Sequence, residues 1–444
     1  MRYVLGIDIG GTNSYAAIAR FQDRMWTPPE LVHLGRDSLS MPSALAVPPH
    51  GPITIADVTA GEGIDFCRIV RGFSQRIGDD VPMILGGTPY APQILTAIVT
   101  RWIVDRVRRQ EGGLPERVIV SHPGSWGPYR RGLLHRALWE AGLDTVTLVP
   151  EPVAAAESYE ATGTLAAAQH LATYALGGSR CEVSVLRRSA YEDGFELMGA
   201  YEPAESVAGS DCDDLLVMDV RARCGIDQAL TRDPRLRRLV ADLRVACARA
   251  KEALSSAPQV TIPVPLSPRT AQVTVTRAEW EELLRPALLP TVDALLHAIA
   301  ACRLRPHEIH RVLLLGGATR IPLIAQLLEE HFPGRVAHTP DPRGIAAVGA
   351  AVAGCRIASH RIGAGSASPR PAPAAARLVP PPRPAPPDHS DGDRGDGPTL
   401  GPPPRPPVVV TPLTLPKTRY RPRSGRTATA HRAPGRRRRV TEAR

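Results

Sequence analysis

The sequence predicts an α/β protein of two lobes with a disordered C-terminal tail, and three observations predict it. Apolar runs of strand length alternate with helical stripes along the first 355 residues, the pattern of sheets layered with helices. Each half also contains the same design, a strand, a glycine turn and a second strand. Finally, the composition changes near residue 360. From Arg361 onward 19 of 84 residues are proline and the formal charge is +12, against −2 for everything before it. The expected units are therefore a first lobe over 1–165, a second over 166–355 and a basic, proline-rich tail over 356–444. The net charge of +10 belongs to that tail and says nothing about a site in the body.

The elements follow in order. Tyr3–Ile9 is a β-rich run carrying Asp8; it ends in Gly10-Gly11-Thr12, and apolar character resumes at Tyr15–Ala19. Such a turn tolerates positive φ and offers bare backbone amides. Ile94, Leu95, Ile98, Val99, Trp102, Ile103 and Val107 keep a helical stripe that Gly112-Gly113 stops. A short strand at Val118–Val120, a helix near Tyr129–Ala141, a strand at Val146–Val149 and a small-residue helix at Val153–Glu160 complete the first half. In the second, Ala172–Leu176 ends in Gly177-Gly178-Ser179, and Cys181–Leu186 returns. Thr276 and Glu279 have capping-box spacing and open a helix to about Cys302, after which the apolar strand Val312–Leu315 ends in Gly316-Gly317. The two glycine hairpins read as an internal duplication at the scale of a domain.

Composition excludes several classes. The seven cysteines (Cys67, Cys181, Cys212, Cys224, Cys247, Cys302 and Cys355) are dispersed without metal-ligand spacing, which reads as reduced thiols. The N-terminus has an acid and glycines where a signal peptide needs an apolar run, and no stretch approaches a membrane span. A cytoplasmic location is the expectation.

Several stretches then point the same way. They are Gly6-Ile-Asp-Ile-Gly-Gly-Thr-Asn-Ser14, Val118–Tyr129 with Val149–Ala156, Tyr174-Ala-Leu-Gly-Gly-Ser179, Ala248–Ser255, Val312–Pro322 and Gly349–Ala351. In order and spacing this set resembles the nucleotide-binding domain of the seventy-kilodalton heat-shock (DnaK-type) chaperone family, over residues 1–355. The resemblance implies a two-lobed actin-like ATPase (ribonuclease H-like) fold, with ATP or ADP and Mg²⁺ as cofactors. It assigns Asp8 to the metal and to catalysis, with Glu151 and Glu182 as further catalytic acids. Gly10, Gly11, Thr12, Asn13, Gly177, Gly178 and Ser179 would form the phosphate loops. Gly209, Lys251, Ser255, Gly316, Gly317, Ala318 and Arg320 would hold the nucleoside. Physically, two opposed glycine hairpins can wrap a polyphosphate with backbone N–H groups, and Glu151, set between two prolines, could orient a water.

Departures from the family pattern bear on hydrolysis. The catalytic lysine position falls on Ser74, and the chain has only two lysines, Lys251 and Lys417. The acid opening the second phosphate loop is Ala175, and the loop's later Gly-Thr is Ser179-Arg180. Losing one preorganised charged group can cost about 10²–10³ in rate, so the expectation is nucleotide binding with weak or absent hydrolysis. Arg71 or Arg180 could supply a substitute cation, an exposed hairpin position being the other reading of Arg180. His122, Pro123 and Arg131 match the family's switch that relays nucleotide state.

Nothing after residue 360 matches the family's peptide-binding domain. Val408–Leu415 interrupts the low complexity, Lys417–Arg444 holds ten arginines, and the proline runs favour extended polyproline II. The tail's expected partners are a protein that reads proline-rich segments, a nucleic acid or an anionic membrane. Two further readings follow: a pseudo-ATPase scaffold that recruits through this tail, and a sugar kinase, since the first glycine loop resembles that of glucokinase-type enzymes. The zinc-binding cysteines that many of those enzymes carry are not found.

Overall fold

The computed structural model describes residues 1–364 apart from 36, 48–52, 57–67, 162, 164, 167, 191–193, 204–206, 227–233, 267–268, 338 and 340. The expected disordered tail from residue 365, the Val408–Leu415 segment and Cys67 lie outside the described residues.

The first sheet is built from β1 (Tyr3–Ile9) and β2 (Asn13–Gln22), joined at the first glycine turn. Helix α1 (Pro92–Glu111) leads to β3 (Arg117–His122), which pairs parallel to β1. Helix α2 (Pro128–Glu140) leads to β4 (Val146–Pro150), parallel to β3. Helix α3 (Glu151–Glu160) follows directly. The second sheet repeats this plan. β5 (His170–Leu176) and β6 (Cys181–Arg188) form the hairpin, and β7 (Phe195–Tyr201) extends it antiparallel. Helices α4 (Gly209–Arg223) and α5 (Pro234–Leu254) precede a hairpin of β8 (Gln259–Leu266) and β9 (Arg269–Thr276). After α6 (Arg277–Ala301), β10 (Ile309–Leu315) pairs parallel to β5. Helix α7 (Pro322–Glu329) then leads to β11 (Val336–Ala337), parallel to β10, and α8 (Ile345–Ala364) closes the described chain. In both sheets a glycine hairpin at the centre has two parallel strands added on one side, as the duplicated hairpins predict.

Local chemistry explains the elements. Leu95, Val99, Ile103 and Val107 repeat at four-residue spacing and form the buried face of α1, which ends at Gly112 in the left-handed region. Thr276 and Glu279 form the expected reciprocal cap of α6: the Thr276 hydroxyl accepts from the Glu279 amide (3.2 Å), and the Glu279 carboxylate accepts from the Thr276 amide (2.8 Å). Among the described residues α6 is long and apolar enough by composition to cross a bilayer. Its apolar stripe is used inside the protein, where Trp280, Leu284, Leu288, Val292 and Leu295 pack with Tyr174, Val183 and Val312. The six described cysteines are free thiols.

Helix α8 seals the first sheet against α3. Ala154, Ala155 and Ala156 are fully buried, and a Cβ on Gly349 would overlap the Ala154 carbonyl oxygen. A Cβ on Gly6, in β1, would likewise overlap the Ala347 carbonyl. Small residues are required here because backbone meets backbone. The helix continues to Ala364, so residues 356–364, which composition assigns to the tail, are helical, and Ser359 accepts a hydrogen bond from the Trp26 indole (3.1 Å).

Candidate functional site

The ends of β1, β3, β5 and β10 converge on a cavity of about 460 Å³. Gly10 and Gly11 from the first hairpin, Gly177, Gly178 and Ser179 from the second, and Gly316 from the turn after β10 all line it. The hairpins face each other closely: a Cβ on Gly11 would overlap the Ser179 hydroxyl, and one on Gly178 would overlap the Thr12 hydroxyl. None of Gly10, Gly11, Gly177 and Gly178 has φ in the left-handed region; close contacts exclude a side chain at Gly10, Gly11 and Gly178, whereas a Cβ on Gly177 would meet only an ordinary 3.5 Å approach from the Arg180 carbonyl. Of the cavity glycines, only Gly316 combines a close contact with positive φ. Its φ is +86°, and a Cβ would lie 2.5 Å from the Leu176 carbonyl oxygen.

The charges are arranged around Arg180. Its guanidinium donates to Glu151 (2.7 Å) at the start of α3 and to Glu182 (3.1 Å) in β6, and only 16% of the side chain is exposed. This corrects the reading of Arg180 as an exposed hairpin residue: two acids draw it into the cavity wall. Arg71 is exposed and is not among the lining residues. Glu182 accepts from the amides of Gly124 (2.9 Å) and Ser125 (3.1 Å) and from the Ser125 hydroxyl (2.8 Å). It therefore ties the turn after β3 to the second hairpin. Asp8 is half-buried in the cavity wall and accepts from the Ser121 hydroxyl (2.6 Å). Burial raises the Asp8 carboxyl, against the pull of Ser121 and Arg180. Burial also pushes Glu151 up to about 7, helped by Asp8 and Glu182 and opposed by Arg180.

The value for Glu151 has a direct consequence. The folded protein holds it above the value of 4.5 for an unperturbed glutamate, so the associated stability is fully present below about pH 4.5 and is lost as pH rises to about 7. Glu151→Gln should match wild type at pH 4.5 and gain on it steadily up to pH 8, read as the difference in Tm. A Tm difference independent of pH would show that Glu151 does not titrate in this range.

The remaining expected residues are placed around the cavity rather than in its wall. Thr12 and Asn13 are exposed where β2 begins. Lys251 donates to the Gly209 carbonyl (2.8 Å) and pairs with Asp213 (2.7 Å), while the amides of Gly209 and Ser210 bond the carbonyls of Gly177 (2.9 Å) and Gly178 (2.7 Å). Lys251 thus braces the second glycine turn from behind, and Ser255, just past the end of α5, donates to the Lys251 carbonyl (3.5 Å). Gly317, Ala318 and Arg320 form a short 3₁₀ turn, with Arg320 exposed; against the upward push of partial burial, Asp341 is held below the usual carboxylate value chiefly by Arg343 and to a smaller extent by Arg320. Ser74 and Ala175 both line the cavity, so the two departures from the expected pattern fall at the site itself. His122 is buried, stacks on Trp126 at 5.8 Å and contacts the Pro123 carbonyl through Nδ1 (2.7 Å); Arg131 is exposed.

Arg130, Trp126, Gln75 and Arg343 were missed by motif reading and line the cavity as well. Arg343 is held by Asp341 through two 2.8 Å contacts, and Gln75 donates to the Ser179 hydroxyl. An arginine two residues after Asp341 in a Pro-containing turn was the available signal for the first.

These residues do not compose a magnesium site of the expected kind. Asp8 brings a carboxylate, but its expected partner is Ala175, and a guanidinium occupies the space between Glu151 and Glu182. Among the described residues no group of three or more His, Cys, Asp or Glu side chains could hold a metal ion.

Comparison with known proteins decides the family. A family model described as Hsp70 protein matches residues 68–361. The chain belongs to the Hsp70 family. Its relatives include the chaperone protein DnaK of Thermosipho melanesiensis and that of Thermosipho africanus, each 26% identical over 378 residues. DnaK of Thermotoga neapolitana is 25% identical over 366 residues, covering 79% of this chain and 59% of that protein. The two Thermosipho alignments cover 81% of this Hsp70-family chain and 60% of the relatives, so it spans about three fifths of the proteins it matches. With the two hairpin-centred sheets, the family match gives the chain the actin-like ATPase fold.

Proposed function

We propose that the cavity binds an adenine nucleotide, ATP or ADP, and that the protein acts as a chaperone-like, nucleotide-dependent switch with weak or absent hydrolysis. One observation carries the reading: two glycine turns from equivalent hairpins face each other across one cavity, where side chains would collide and backbone amides can meet phosphate. The Hsp70 family membership and the relatives named chaperone protein DnaK support it. Gly10, Gly11, Gly177, Gly178 and Ser179 would receive the phosphates. Gly316 and Arg343 would receive the nucleoside side of the ligand, with Lys251 and Gly209 bracing the second turn.

The cavity wall supports the reading of weak hydrolysis. Ser74 replaces a cation and Ala175 replaces an acid, while the Glu151 carboxylate is engaged by Arg180 and is poorly placed to accept a proton from water. A cytoplasmic location and recruitment of a protein, nucleic acid or anionic membrane by the tail remain parts of this proposal.

Gly178→Val tests the site. The new side chain would overlap Thr12 and force the hairpins apart. ATP affinity measured by calorimetry should fall at least about tenfold, a loss of roughly 1.4 kcal/mol or more. Wild-type affinity in this variant would place nucleotide elsewhere.

A further inference from the structure

A polyphosphate brings several negative charges into a site, and a divalent cation is the usual counterweight. We propose that in this chain the Arg180 guanidinium holds the place of that cation, so that the cavity takes its nucleotide without a divalent metal. The inference rests on the nucleotide reading above and specifies the form in which the ligand is bound.

Three observations carry it. First, Arg180 fills the space between two acids that could otherwise share a metal. It bridges Glu151, at the start of α3, and Glu182, in the second hairpin, and its charge reaches Asp8. Second, the cavity already holds cationic side chains: Arg130, Arg180 and Arg343 line it together with Asp8, Glu151 and Glu202, and Glu182 reaches Arg180 from β6. Third, the acid expected at the opening of the second hairpin is Ala175, so the carboxylate that would have organised a metal is missing on the side from which Arg180 enters.

The chemistry of the group suits the role. A guanidinium is always charged and carries five N–H donors in a planar fork. The two carboxylate contacts use two of them, and the others can meet phosphate oxygens entering between the glycine turns. A metal ion shared by Glu151 and Glu182 would have to draw Arg180 away from both acids, leaving its charge without a partner, which is strongly unfavourable.

The test is ATP binding to the full chain, by calorimetry, in excess MgCl₂ and in excess EDTA. Affinities equal to within about threefold are expected. Arg180→Ala should lose at least about tenfold in EDTA, as expected for a charge-assisted donor, and recover affinity when Mg²⁺ is added. Arg180→Lys, which keeps the charge and loses the fork, should lie between. The wild-type comparison decides even if the alanine variant fails to fold. ATP binding by wild type that requires Mg²⁺ would overturn the inference while leaving the nucleotide reading intact. No ATP binding under either condition would overturn both.

Discussion

Gly349→Val should destabilise the native state by about 3 kcal/mol or more, the largest effect expected of any single methyl-bearing substitution in α8. The reason is the nature of the contact. The position of its Cβ coincides with the Ala154 carbonyl oxygen, so a backbone and not a flexible side chain would have to move. α3 cannot retreat, because Ala154, Ala155 and Ala156 are themselves fully buried and Glu151, at its first turn, is tied to Arg180. The loss would be read as a shift in the urea midpoint. Gly132→Ala is the control: it lies in α2 with nothing within 4 Å of its Cβ position, and it should be neutral or stabilising by up to about 1 kcal/mol through helix propensity. Equal effects of the two substitutions would show that α3 and α8 are not in backbone contact.

Glu182→Ala should be nearly as costly. The carboxylate is 2% exposed and serves four donors: the Gly124 and Ser125 amides, the Ser125 hydroxyl and Arg180. Removing one partner of a buried, hydrogen-bonded ion pair costs about 3–5 kcal/mol, because the groups left behind are desolvated and unmatched. Glu182→Gln keeps the shape and one acceptor oxygen and should lose less. Thermal unfolding of the two variants separates this bracing role from a catalytic one. A catalytic acid would lose turnover in both variants while Tm stayed at the wild-type value.

Much of this was legible in the sequence, for identifiable reasons. The glycine hairpins, the α1 stripe and the α6 cap are local patterns of two to four residue spacing, and each reappears in the structure at the expected residues. The reason for the hairpin glycines was not legible. Positive φ is a local property, whereas the contacts that exclude a side chain at Gly11 and Gly178 come from the opposite hairpin, about 165 residues away. Arg180 was misjudged for the same reason. Beside a glycine turn it reads as surface, and only the fold brings Glu151 to it. Arg130 and Arg343 belong to no motif and enter the cavity because α2 begins there and the turn before α8 passes it. The helical residues 356–364 were hidden by composition: the buried positions earlier in α8 are mostly alanine (Ala346, Ala347, Ala350, Ala351, Ala353), so no large apolar stripe runs on to mark the helix.

The decisive measurement is a single-turnover experiment with excess protein and trace labelled ATP, following bound label and ADP together, in MgCl₂ and again in EDTA. Ser74, Ala175 and the Glu151–Arg180 pair predict label that is bound in both and still ATP after hours. Rapid conversion to ADP would contradict weak hydrolysis, and no bound label would contradict the nucleotide site itself.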